Sequence, residues 1–142
     1  MSKALGGTVS RAPTKEIGWG EVQVVAGAAA TDWFGAGQER LKAFHWHGET
    51  FTIPAGAHRV LSGPWCDNQG FALGPHLGLQ CHIEMTEELV KNWCDTGRRE
   101  IQRSRSPAVQ PVDDILQDLE VRVAALHSVA DGIYTRWIRG LV

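Results

Sequence analysis

The sequence predicts an α/β fold in which a strand-rich first 84 residues are followed by helices. Three observations carry this. Up to His82 the chain is a succession of short apolar or alternating runs divided by Gly, Pro, Asn and Asp. After Glu84 the apolar residues recur at helical spacing, and a polar stretch at 102–111, twice interrupted by proline, separates two such segments. At 142 residues the chain fits a single domain, 1–142, large enough for a real hydrophobic core.

The runs that read as strands are Gly7–Arg11, Glu21–Val25, Lys42–Trp46, Arg59–Ser62, Gly70–Leu73 and Leu77–His82. The turns Ile53-Pro-Ala-Gly56 and Cys66-Asp-Asn-Gln-Gly70 separate them. Thr86 is placed to cap a helix, with Glu87 and Glu88 in the first turn where the macrodipole favours negative charge. Leu89, Val90, Trp93 and Cys94 form its stripe and Asp95-Thr96-Gly97 ends it. Residues 102–111 read as a loop or linker. Asp113 or Asp114 then caps a long helix with the stripe Ile115, Leu119, Val123, Leu126, Ala130, Ile133 and Trp137, and Asp131-Gly132 is where it would bend or break. That stripe reads as core contact, with a contact between subunits as the other use of a terminal amphipathic helix.

An apolar fraction of 43 %, a charged fraction of 21 % and a net charge of −2 are ordinary for a globular protein and give no electrostatic reason to expect nucleic acid or anionic lipid as a partner. No stretch approaches the ~20 apolar residues of a membrane span. The N-terminus lacks the apolar region of a signal peptide, so the expected compartment is the cytoplasm. Cys66, Cys81 and Cys94 are odd in number and in no paired spacing. They read as reduced, buried thiols rather than a disulfide framework or a Cys-x-x-Cys metal site.

The stretch that carries chemistry is Gly78-Leu-Gln-Cys-His-Ile-Glu84. In an extended chain residues i and i+2 share a face, so His82 and Glu84 point one way while Cys81 and Ile83 point the other. A carboxylate so placed can fix the tautomer of an imidazole and stabilise its protonated form, as a base in nucleophilic catalysis requires. His-x-Glu by itself also occurs as an ordinary strand-end pair.

The surrounding segments add specificity. Gly78–Glu84, followed by a helix containing Trp93, resembles the Gly-x-Gln-Phe-His-Pro-Glu segment of class I (triad-type) glutamine amidotransferases. Upstream and in the same order, Phe44-His-Trp-His-Gly-Glu-Thr-Phe51 resembles that family's Trp-His-Gly-Asp-Thr-Phe segment, Ile53-Pro-Ala-Gly-Ala57 the turn after it, and Asn68-Gln-Gly-Phe71 its Asn-Gln-Ala-Phe strand. Ala4-Leu-Gly-Gly-Thr-Val9 and Glu16-Ile-Gly-Trp19 are similar to the stretch beyond the nucleophile helix. The resemblance covers residues 3–95 and is looser over the loop and helix of 96–142.

The resemblance implies a flavodoxin-like α/β domain in which a cysteine attacks the side-chain amide of glutamine, releases ammonia and leaves a thioester for water to cleave. His82 would be the general base and acid and Glu84 its orienting partner, with His47 and Glu49 near the active-site rim. It implies no cofactor and no metal. The family's Gly-x-Cys-x-Gly nucleophile turn has no match here. The chain is therefore expected to correspond to the C-terminal portion of the domain, inactive alone, with the nucleophile segment absent. An uncovered half of a doubly wound sheet predicts pairing with a second copy or with another chain.

Two other readings compete. One keeps the scaffold as a non-catalytic interaction or regulatory module. The other is a cupin-like metal-binding barrel, suggested by His45-x-His47 with Glu49 and by Pro54-x-Gly56-x-His58, although Glu49 follows His47 after a single residue instead of three or four. His45, His76 and His127 are assigned packing or surface roles.

Overall fold

The computed structural model describes residues 1–140. After a short 3-10 turn at Lys3–Leu5, the chain forms strand β1 (Val9–Val24), helix α1 (Ala28–Phe34), and strands β2 (Arg40–Phe51), β3 (His58–Ser62), β4 (Gly70–Leu73) and β5 (His76–Leu79). Helices α2 (Glu87–Thr96), α3 (Arg98–Arg103), α4 (Val112–Leu116) and α5 (Leu119–Arg139) follow. The fold is thus mixed α/β, with the strands before residue 84 and most of the helix after it.

The sheet has the order β2-β1-β3-β4-β5, and each pair of named strands is antiparallel. Its backbone is the long β1–β2 ribbon, in which Glu16 faces His47 and Gly18 faces His45. The two separate strands expected at 7–11 and 21–25 are the ends of this one strand. A register irregularity between Arg11 and Glu16 interrupts the sequence alternation that would have joined them.

Of the expected 102–111 loop, Gln102 and Arg103 close helix α3, and the remainder is irregular yet packed. Ile17 N–H donates to the Ala108 carbonyl (3.0 Å) and Gln110 N–H to the Ile17 carbonyl (3.0 Å). The Gln110 amide meets both backbone groups of Trp19 at 2.8 Å. Gly18 makes this possible. Its φ is +115°, and a Cβ there would lie 2.2 Å from the Gln110 side-chain oxygen.

Helix α2 begins where the sequence places it, with Leu89 N–H donating to Thr86 Oγ1 at 3.2 Å. The expected single C-terminal helix is two. Gln117 is extended and Asp118 takes the left-handed conformation at φ 51°, so the chain breaks there, and Asp131-Gly132 stays helical. Aspartate tolerates that conformation better than most residues, and the break is invisible to the spacing because Ile115 and Leu119 both remain buried. The stripe from Ile115 through Ile133 enters the core with Ile17, Trp19, Phe44 and Met85, but Trp137 is 45 % exposed. With Tyr134 and Ile138 it leaves an apolar surface at the end of α5. No described helix is long and apolar enough to cross a membrane.

Candidate active site

His82 lies just past β5, and its backbone continues the sheet by exchanging hydrogen bonds with Phe44 (2.8 and 3.2 Å). The predicted alternation holds. Cys81, Ile83 and Met85 are buried in the core while His82 and Glu84 face outward. His82 Nδ1 is 2.6 Å from Glu84 Oε1, and the other carboxylate oxygen accepts the Ile83 N–H at 2.9 Å. The carboxylate is therefore held at both oxygens. The Trp93 ring stands edge-on to the imidazole, with centroids 5.0 Å apart at 89°, so Glu84 and Trp93 together restrict the ring's rotation. Burial works to raise the Glu84 carboxyl, but the hydrogen bonds from His82, its own backbone and Ile83, with the imidazole's charge, hold it below its ordinary value.

A cavity of about 400 Å³ opens beside the pair, bounded by Trp33, Leu79, Gln80, Tyr134 and Trp137. Neither His47 nor Glu49 lines it. Those two sit elsewhere. Glu49 is exposed and offers its carbonyl to His47 Nδ1 at 3.1 Å, and the buried His47 faces Glu16 on β1, with Nε2 3.1 Å from Glu16 Oε2. His45, two residues earlier on the same strand face, lies beside the same carboxylate. Burial above all, with the neighbouring His47 and His82 and against the pull of Glu16, brings the His45 pKa down to about 4.

The cysteines are buried, as the sequence suggests. Cys66, Cys81 and Cys94 are free and buried. Burial pushes the Cys81 thiol up to about 12 and also raises Cys94. Cys66 is enclosed by Thr50 Oγ1 (3.3 Å) and the Asn68 carbonyl (3.6 Å). A thiol in such surroundings is a poor nucleophile.

The residues sequence reasoning left without a role are Glu16 and Gln69. Gln69 is fully buried and donates its amide N–H to Glu16 Oε2 at 2.8 Å. The available signal was the run Glu16, Gly18, Gly20 on one strand face, opposite His47 and His45 in the ribbon.

No protein-family model and no curated protein matches the chain. Solved structures do. A glutamine amidotransferase from Methylobacillus flagellatus is 39 % identical with a TM-score of 0.93, covering 98 % of this chain and 58 % of its own. One from Thermotoga maritima is 30 % identical with a TM-score of 0.83, covering 96 % of this chain and 57 % of its own. The chain thus spans somewhat more than half the length of these relatives. Its fold is that of part of a glutamine amidotransferase domain of the class I type.

Proposed function

We propose that this chain, a partial class I glutamine amidotransferase domain, supplies the base and its orienting carboxylate for hydrolysis of the glutamine side-chain amide to glutamate and ammonia. The observation that carries the reading is the His82 Nδ1 to Glu84 Oε1 contact of 2.6 Å at the mouth of a cavity. With Nδ1–H donated to the carboxylate, Nε2 keeps its lone pair and is directed to a reacting group. It takes the proton of an attacking thiol and returns it to the departing ammonia, while Glu84 stabilises the imidazolium in between.

The thiol is not one of the three in this chain, which are buried away from the His82 imidazole's exposed side, so it comes from protein outside these 142 residues. The same reading takes glutamine as the substrate, places the chain in the cytoplasm, and has partner protein, or a second copy, cover the apolar end of α5. The 142 residues alone should release no ammonia from glutamine. Joined to or mixed with an amidotransferase segment bearing a Gly-x-Cys-x-Gly turn, they should do so, and His82→Ala should abolish the burst of thioester. Glu84→Gln should weaken it by loss of ring orientation. Ammonia release that is indifferent to His82→Ala would remove the mechanism, leaving the non-catalytic scaffold as the better reading.

A further inference from the structure

Glu16, His45 and His47 form a second imidazole–carboxylate cluster, and the proposed reaction makes no use of it. Each offers a ligand atom, and those atoms lie within 4.8 Å of one another. The strand register builds the cluster. His45 and His47 alternate with Phe44 and Trp46, so they project from one face of β2, and Glu16 is the cross-strand neighbour of His47 on β1. Gly20 clears the space, because a Cβ there would lie 2.9 Å from the His45 ring.

Two observations point to a cation site. His45 is only 2 % exposed, yet neither ring nitrogen has a hydrogen-bond partner. His47 Nδ1 faces the Glu49 carbonyl at 3.1 Å, which leaves Nε2 as the ring nitrogen turned toward Glu16. That nitrogen is buried 3.1 Å from Glu16 Oε2 yet makes no hydrogen bond to it. A positive ion would give these buried nitrogens and the carboxylate a common partner. Two imidazoles and one carboxylate are the donor set that suits divalent first-row ions, whose ligand bonds of about 2.0–2.2 Å put neighbouring donor atoms roughly 3 to 3.5 Å apart. The His47–Glu16 spacing already fits, and His45 Nδ1, 4.0 Å from Glu16 Oε1, needs a small ring movement. The outer supports are also in place. Gln69 donates to Glu16, and the Glu49 carbonyl lies against His47 Nδ1 and orients the ring. A cavity of about 140 Å³ leads from Glu16, Gly20 and His45 to the exposed Trp65, giving an entry path.

We infer that Glu16, His45 and His47 bind one divalent transition-metal ion, with zinc as the probe of choice. The inference is independent of glutamine hydrolysis. The test is metal content of the whole chain after stripping, incubation with Zn²⁺ and removal of unbound ion. About one zinc per chain is expected for wild type and for Glu49→Gln, with binding weakened more than tenfold in Glu16→Gln and in His45→Asn. For a variant that does not fold by circular dichroism, proton NMR of Co²⁺-loaded wild type decides: the His45 and His47 ring protons should be the strongly shifted ones. Substoichiometric zinc, binding unchanged in both folded variants, or shifts confined to His58, His76 or His127 would each overturn the site.

Discussion

Two regions of this molecule join imidazole to carboxylate, and they do so in opposite ways. His82 and Glu84 are two residues apart, sit at the surface beside a cavity, and satisfy each other through one ring nitrogen while leaving the second for chemistry. Glu16, His45 and His47 come from two strands, lie inside the protein, and bring together more polar atoms than their hydrogen bonds satisfy. Solvent access is the difference that matters. A partly hydrated pair can gain and lose a proton at modest cost, whereas a buried cluster cannot change its charge without a desolvation penalty borne by the whole fold. The first arrangement suits proton transfer, and the second suits a fixed ion or a fixed network.

The widest separation between the two should come from His82→Ala in the enzyme assembled with a nucleophile segment. General-base catalysis contributes about 10²–10⁴-fold, and turnover should fall by that much. The urea-unfolding free energy should change by less than about 1 kcal/mol, the range for a partly exposed side chain away from the core. A large stability loss with little kinetic loss would reverse the roles assigned here.

Glu16→Ala should show the opposite profile. It leaves the fully buried Gln69 amide without its acceptor, and such a loss costs on the order of 1–3 kcal/mol. Urea unfolding of the metal-stripped protein measures this. A neutral result would mean that Glu16 is not the centre of the network.

Acid should act on the same cluster. In metal-stripped protein His45 has a folded pKa of about 4 against 6.5 for an ordinary histidine, so above pH 6.5 it is neutral in both states and costs nothing. Between pH 6.5 and 4 the unfolded chain takes up a proton that the folded chain refuses, and stability falls with pH by about 3 kcal/mol before levelling off, at roughly 1.4 kcal/mol per unit. Glu16 faces the ring and opposes the shift, while His47 and His82 add to it. Unfolding curves at pH 7 and pH 4.5 for wild type and His45→Asn isolate the contribution, and identical pH dependence in the two would refute it.

The two regions also differed in how much of them could be read from the sequence. His82 and Glu84 are local, so strand alternation placed them on one side before any tertiary contact was known, and the helix cap at Thr86 was equally local. The second cluster depends on ribbon register. His45 and His47 could be paired by spacing, but the nearby Glu49 turned out to be exposed, and the carboxylate that meets them is Glu16, brought across from β1 after a register shift that no single-strand pattern reveals. The division of the last helix at Gln117-Asp118 escaped for a related reason. A break that keeps the buried stripe in phase leaves no mark on hydrophobic periodicity.

The smallest effect concerns the support beneath the catalytic pair. Helix α2 carries Trp93 against the His82 ring, and its first turn is closed by Thr86 Oγ1 accepting the Leu89 N–H at 3.2 Å. Thr86→Ala should cost about 1 kcal/mol, as N-cap losses do. Because Trp93 lies two turns along the helix and is also held edge-on to Trp46 at 5.8 Å, fraying of the first turn should leave the ring's seat intact. Ammonia release by the assembled enzyme should then change by less than about threefold, the kinetic equivalent of roughly 0.6 kcal/mol. A much larger kinetic loss would show that the imidazole depends on the whole helix for its orientation, and that the exposed pair is less self-sufficient than its 2.6 Å hydrogen bond suggests.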